Sequence, residues 1–160
     1  MRQRCLLPAL AVCALVACGA SAKEVQVEFD IPVIETADYN KPYVAIWMER
    51  PKGNETLMLW HLTRSKDDKW LPDIRRWWRK LGRYGETVDG LTGATRGPGI
   101  YREILKVEAQ EPFTLLLEVV REDGGRSLLK QRIDFSADQR VFNLPAGKEI
   151  GATTITLGEN

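Results

Sequence analysis

From Lys23 onward the chain repeatedly alternates apolar and polar residues at period two. The clearest run is Lys23-Glu24-Val25-Gln26-Val27-Glu28-Phe29-Asp30-Ile31, which puts Val25, Val27, Phe29 and Ile31 on one side and polar groups on the other. Successive side chains of an extended strand point to opposite faces, so such a run buries one face and wets the other. The same grammar returns over residues 43–48, 57–62, 101–107, 113–120, 128–135 and 153–157. Pro51-Lys52-Gly53-Asn54 and Asp123-Gly124-Gly125 supply turn geometry between neighbouring runs. Short strands at this spacing predict a mainly β chain, an antiparallel β-sandwich of immunoglobulin-like kind, occupying residues 23–160 as a single domain.

One segment follows a different period. In Pro72-Asp73-Ile74-Arg75-Arg76-Trp77-Trp78-Arg79-Lys80-Leu81-Gly82, the residues Ile74, Trp77, Trp78 and Leu81 recur at i, i+3, i+4 and i+7. They form one stripe of a short amphipathic helix over 72–81. Pro72 and Asp73 suit its first turn and Gly82 the position after its last. A helix this short is marginal alone, so its tryptophans should lie against the sandwich. It leads into residues 84–99, with the Gly- and Pro-bearing stretch 92–99 expected as a loop.

The amino terminus carries Arg2 and Arg4 ahead of an apolar run through Ala17, too short to span a bilayer, which reads as an export signal over residues 1–22. Ala20-Ser21-Ala22 suits ordinary signal peptidase, whereas Leu15-Val16-Ala17-Cys18 resembles a lipobox whose Cys18 would be lipidated. The strand pattern at Lys23 leaves little tether after Cys18, which favours a soluble periplasmic form. Cys5, Cys13 and Cys18 all lie in the signal, so no disulfide, cysteine zinc site, iron–sulfur cluster or haem attachment is expected in the exported chain. The formal charge of +1 falls to −1 once Arg2 and Arg4 are removed, which gives no indication of a nucleic-acid partner. No second apolar run reaches transmembrane length.

Function is signalled by Asp89-Gly90-Leu91-Thr92-Gly93-Ala94-Thr95, which resembles the acceptor motif Asp-x-x-(Ser/Thr)-Gly-Ala-(Ser/Thr) of bacterial flavin transferases. The resemblance implies that a separate enzyme, using FAD, joins FMN to the Thr95 hydroxyl through a phosphodiester. A threonine hydroxyl is a weak nucleophile until another group activates it, so the acceptor must be reachable by a second protein. Gly93 and Ala94 are small enough to allow that approach. The plainer alternative is that Asp-Gly and Thr-Gly build ordinary turns.

Around the motif, Arg96 could reach the phosphodiester, and Trp70, Trp77, Trp78 and Tyr101 could stack on a flavin ring or pack the core, with Tyr84 similar. Trp47 and Trp60, on alternating strands, read as core. The cations Arg64, Lys66, Lys69, Arg75, Arg76, Arg79, Lys80 and Arg83 form a basic stretch suited to a phosphate, to the pyrophosphate of FAD, to an acidic redox partner, or simply to a solvated helix face. His61 is the one histidine; no metal set and no serine–histidine–carboxylate set can be built around it.

The wider sequence is similar to an exported bacterial family called domain of unknown function 2271. The similarity runs through Pro32-Val33-Ile34-Glu35, Tyr39-Asn40-Lys41-Pro42-Tyr43-Val44-Ala45-Ile46-Trp47, Lys69-Trp70-Leu71-Pro72-Asp73, Arg76-Trp77-Trp78, and Gly93-Ala94-Thr95-Arg96 with Pro98-Gly99 and Tyr101. It implies extracytosolic electron transfer through bound FMN, with a flavin transferase and a membrane protein carrying a PepSY-type domain as partners. The chain differs from the FMN-binding domain of the sodium-pumping quinone reductase, where a Thr or Ser usually follows two residues after the acceptor; Gly97-Pro98 follows here. The expectation is an electron carrier without turnover of its own. Its rivals are a non-redox periplasmic binding module and an accessory of an envelope metal-uptake or respiratory complex.

Overall fold

A computed structural model describes residues 22–62, 65–85 and 90–158, with the backbone alone over 65–68. Among these residues nine strands form two sheets packed as a sandwich. The strands are β1 (Lys23–Ile31), β2 (Tyr43–Arg50), β3 (Gly53–His61), β4 (Thr92–Ala94), β5 (Gly99–Val107), β6 (Phe113–Val120), β7 (Arg126–Ile133), β8 (Val141–Leu144) and β9 (Thr153–Leu157). One sheet runs β5-β1-β9-β8 and the other β4-β3-β2-β6-β7. The pairings are antiparallel except β3 with β4, which is parallel.

The alternation in β1 does what its period requires. Val25, Val27, Phe29 and Ile31 are buried between the sheets against Val44, Ile46 and Met48 of β2 and Leu115, Leu117 and Val119 of β6. Strands β2 and β6 are buried on both faces, because a third layer covers the five-stranded sheet from outside. In that layer Ile74, Trp77 and Leu81 pack on Tyr43, Ala45, Trp47, Leu59 and Leu116. A buried tryptophan removes about 150–250 Å² from water, which at about 25 cal/mol per Å² is worth roughly 4–6 kcal/mol. Trp77, 3 % exposed, therefore anchors the layer.

The helix itself is shorter than the periodicity predicts. Helix α1 covers Arg75–Lys80 and is flanked by 3-10 segments at Ser65–Asp73 and Gly82–Tyr84. Pro72 and Asp73 fall in the first 3-10 segment, and Ile74 stands at the N-cap without a side-chain acceptor. The capping acceptor comes from β6 instead. Glu118, fully buried, accepts from the Arg76 amide (3.1 Å) and the Trp77 amide (3.0 Å), while Arg126 of β7 donates to its other oxygen. Two of the amide groups that every helix leaves unpaired at its start are thus satisfied from a strand some forty residues away. Gly82 is required at the far end, since a Cβ there would stand 2.6 Å from the Trp77 and Trp78 rings.

A bulge in β3 adjusts the same interface. Leu57 is skipped in the pairing with β2, so Leu57 and Met58 both face the inter-sheet core while Thr56 turns outward. There its hydroxyl accepts from the Trp77 indole N–H at 3.0 Å. Arg76 completes the clasp with a two-pronged pair to Glu49 at 3.0 and 2.7 Å.

Two parts of the sequence expectation are corrected. Residues 92–94, expected in a loop, form β4, because their backbone pairs with β3; residues 141–144 add β8 at the edge of the other sheet. Gly53 (φ +138°) and Asp123 (φ +54°) occupy left-handed or related conformations in the two hairpin turns that the turn residues predict.

Glu118→Leu should cost about 3–5 kcal/mol by leaving Arg126 and two helix amides without their acceptor, and Glu118→Gln should cost less, since one oxygen remains; urea unfolding would measure both. Equal stability of Glu118→Leu and the wild type would refute the capping role.

Burial raises the Glu49 carboxyl, but the hydrogen bond and charge of Arg76 outweigh it and hold its pKa below the ordinary range. A lowered folded pKa stabilises above the unfolded value, near 4.3, and is lost as pH falls through the folded value. The Tm advantage of the wild type over Glu49→Gln should accordingly be full at neutral pH and shrink below about pH 4. An advantage that is constant down to pH 3 would contradict it.

Candidate functional site

Residues 90–95 of the acceptor heptad lie at the edge of the five-stranded sheet. Asp89 lies outside the described residues. Gly90 takes φ +80°, a conformation that favours glycine, and turns the chain into β4. The Leu91 carbonyl accepts from the Leu59 amide at 2.9 Å, and Thr92, Gly93 and Ala94 pair in register with Leu59, Trp60 and His61. Thr92 and Ala94 are exposed; Gly93 and Thr95 are half-buried. The half-buried His61 is thus a strand residue facing the motif.

Gly93 has a packing reason for its size. A Cβ there would meet Trp60 Cδ1 at 3.3 Å, tighter than an ordinary contact. Trp60 is 2 % exposed and belongs to an aromatic cluster, 5.4 Å from Phe29 and 4.9 Å edge-on to Tyr101 between ring centres. The Tyr101 hydroxyl donates to the Gly97 carbonyl at 2.7 Å, which ties β5 to the segment after the acceptor. Arg96 lays its guanidinium over the Trp60 ring at 4.7 Å and near Tyr101 at 5.5 Å, with Glu103 at 3.6 Å. Its side chain is 51 % exposed, so each of these contacts is worth at most about 1 kcal/mol. Arg96 is therefore a cation held close to the acceptor and free to exchange partners at small cost.

Beside these residues, a groove of about 380 Å³ opens between β4 and the facing strand β5. Leu57, Met58, Trp60 and Leu105 give it an apolar lining, and Gly93, Arg96, Glu103 and Lys106 supply its polar rim. Its volume is within the lower range of small-molecule sites, and it is open to solvent with polar and apolar surface mixed along its lining. Thr95 adjoins Arg96 but stands outside the groove's lining.

The structure brings Gly90, Thr92, Gly93, Ala94, Thr95, Arg96 and Tyr101 together. Trp70, Trp77 and Trp78 lie elsewhere, on the outer face of the five-stranded sheet, with Trp77 buried and the other two half-buried. The tryptophan beside the acceptor is Trp60, buried in the core as the sequence predicts; the signal of its closeness to the motif is the glycine opposite it, a residue without a side chain where a tryptophan needs room. Among the described residues no group of three or more His, Cys, Asp or Glu could hold a metal ion.

Residues 24–152 match a family described as "Predicted periplasmic protein (DUF2271)". The chain belongs to this family. No curated protein and no solved structure matches it. The DUF2271 description puts the protein in the periplasm, and among the described residues no helix is long and apolar enough to cross a membrane.

Gly93→Val should destabilise the DUF2271 domain by about 1–3 kcal/mol through crowding against Trp60, with a shift in tryptophan emission. Unchanged stability and emission would show that Trp60 yields freely.

Proposed function

We propose that this DUF2271 protein is an extracytosolic electron carrier with FMN attached covalently to Thr95 by a separate flavin transferase. The observation that carries the reading is the position of the acceptor sequence: Thr95 follows an edge strand, partly open to solvent, immediately before a loosely held cation. In the transfer, the Thr95 oxygen would bond to the FMN-side phosphorus of FAD as the pyrophosphate bond breaks. AMP leaves, and the hydroxyl proton passes to a base of the transferase.

The residues present fit such a group. Arg96 can leave its weak contacts with Glu103 and Trp60 to neutralise a phosphodiester on the adjacent side chain. Leu57, Met58, Leu105 and Trp60, all nearly buried, form the floor of the neighbouring groove and would give a bound flavin an apolar surface. The Tyr101 hydroxyl fixes the Gly97 carbonyl, so the chain after the acceptor holds its course. Bound flavin supplies one- or two-electron transfer; the protein supplies its place and surroundings. The partners that complete the reading are the flavin transferase and a membrane redox protein with a PepSY-type domain.

Co-expression with a flavin transferase should raise the intact mass by one FMN less one water. Thr95→Ser should keep the adduct, and Thr95→Ala should lose it with Tm nearly unchanged, because a half-buried loop hydroxyl adds little to the core. An unmodified wild type, or an adduct that survives in Thr95→Ala, would overturn the assignment and leave the groove to a non-redox ligand.

A further inference from the structure

The helical layer carries a second surface that the flavin reading does not use. From Lys69 to Gly85 the chain holds Lys69, Arg75, Arg76, Arg79, Lys80 and Arg83 against a single acid, Asp73. Arg76 is paired with Glu49. Arg79, Lys80 and Arg83 are exposed, and among the described residues none of them forms an ion pair within 4 Å, although the Lys80 charge reaches the Glu49 carboxylate and Arg83 donates to the Tyr84 hydroxyl. They line an open cleft of about 630 Å³ with Asn54, Arg76 and Tyr84. Arg75 and Arg79 stand at i, i+4, where like charges oppose helix formation by a few tenths of a kcal/mol. Glu49 offsets the same repulsion between Arg76 and Lys80.

Aromatic rings accompany the cations. Tyr84 is 68 % exposed with the Arg83 guanidinium 4.7 Å above its ring, Lys69 lies 4.8 Å over Trp70, and Trp78 is half-buried beside Trp77. The outer face of the four-stranded sheet is different, because there the signs cancel: Glu28 faces Arg102 and Glu24 faces Lys106 in register. Among the described residues the cleft side of the helical layer thus joins cations to the exposed Tyr84 ring.

We propose that this side docks on the anionic phospholipid headgroups of the envelope membrane, with Arg79, Lys80 and Arg83 meeting lipid phosphates and Tyr84 lying at headgroup depth. Cations interleaved with tryptophan and tyrosine suit a membrane–water interface. An acidic protein partner would instead bury a cluster of anchors, and Tyr84 stands alone as the large apolar side chain exposed on this layer among the described residues. A periplasmic protein meets such a membrane as soon as it is exported. Trp77, Thr56 and Glu118 hold the layer rigid beneath. The inference is independent of any flavin on Thr95.

The test uses the exported protein with Cys18→Ser, so that no acyl chain contributes, and vesicles of phosphatidylcholine with or without phosphatidylglycerol at about 0.15 M salt. Co-sedimentation should require phosphatidylglycerol and weaken as salt is raised. Each cation near such a surface is worth about a fivefold change in partition, so Arg79→Gln/Lys80→Gln/Arg83→Gln together should weaken binding about a hundredfold, with Tm at or above that of the parent. Absence of binding to the anionic vesicles, or equal binding of the triple variant, would overturn the proposal. Displacement of the protein from the vesicles by millimolar glycerol 3-phosphate would reassign the cleft to a soluble phosphate ligand. Retention on polyglutamate without vesicle binding would reassign it to an acidic polypeptide.

Discussion

The arrangement rests on the buried carboxylate of Glu118. A charge removed from water is tolerated only when hydrogen-bonded and paired, and here two helix amides and the Arg126 guanidinium meet that requirement. The same contacts make a six-residue helix possible, because a helix of that length has too few internal bonds to persist by itself. Once α1 is fixed, Trp77 closes the outer face of β2 and β6, Arg76 reaches Glu49, and the chain is delivered to the edge of β3 where the acceptor strand pairs.

The aromatic residues divide into two groups with different partners. Trp47 and Trp77 belong to the outer cluster, Trp77 within the helical layer and Trp47 on the sheet beneath it; Phe29, Trp60 and Tyr101 belong to the inner one beneath the acceptor. The bulge at Leu57 separates the two, since it sends Thr56 to the outer side while leaving Leu57 and Met58 inside. The wall of the groove and the seat of the Trp77 indole are thus products of the same local irregularity.

Much of this was legible in the sequence where one period dominates. The alternation in β1 gave its buried face directly, and the helical spacing of Ile74, Trp77 and Leu81 gave the side that packs on the sheet. Other parts left weak local signals. β4 has three residues, one of them glycine, too few for a period; it exists because β3 offers an edge. Glu118 stands in Leu115-Leu116-Leu117-Glu118-Val119-Val120, where a charge looks out of place until the helix it caps is known. Pro72 and Asp73 look like a helix start, yet the cap comes from another strand, and no short-range pattern encodes that. The role of Trp60 beside the motif depends on the register of β3 with β4, which only the folded chain defines.

The parallel pairing of β4 has a kinetic consequence. Strands β3 and β4 can align in the same direction only after residues 62–91 have crossed over, so three residue pairs repay the closure entropy of a long connection. A ladder that short is the natural place for sub-global opening, in which one strand detaches while the rest of the sandwich stays closed. Amide hydrogen exchange should therefore be faster in β4 than in β2 or β6, and the acceptor segment would alternate between a paired state and a released one without the protein ever unfolding.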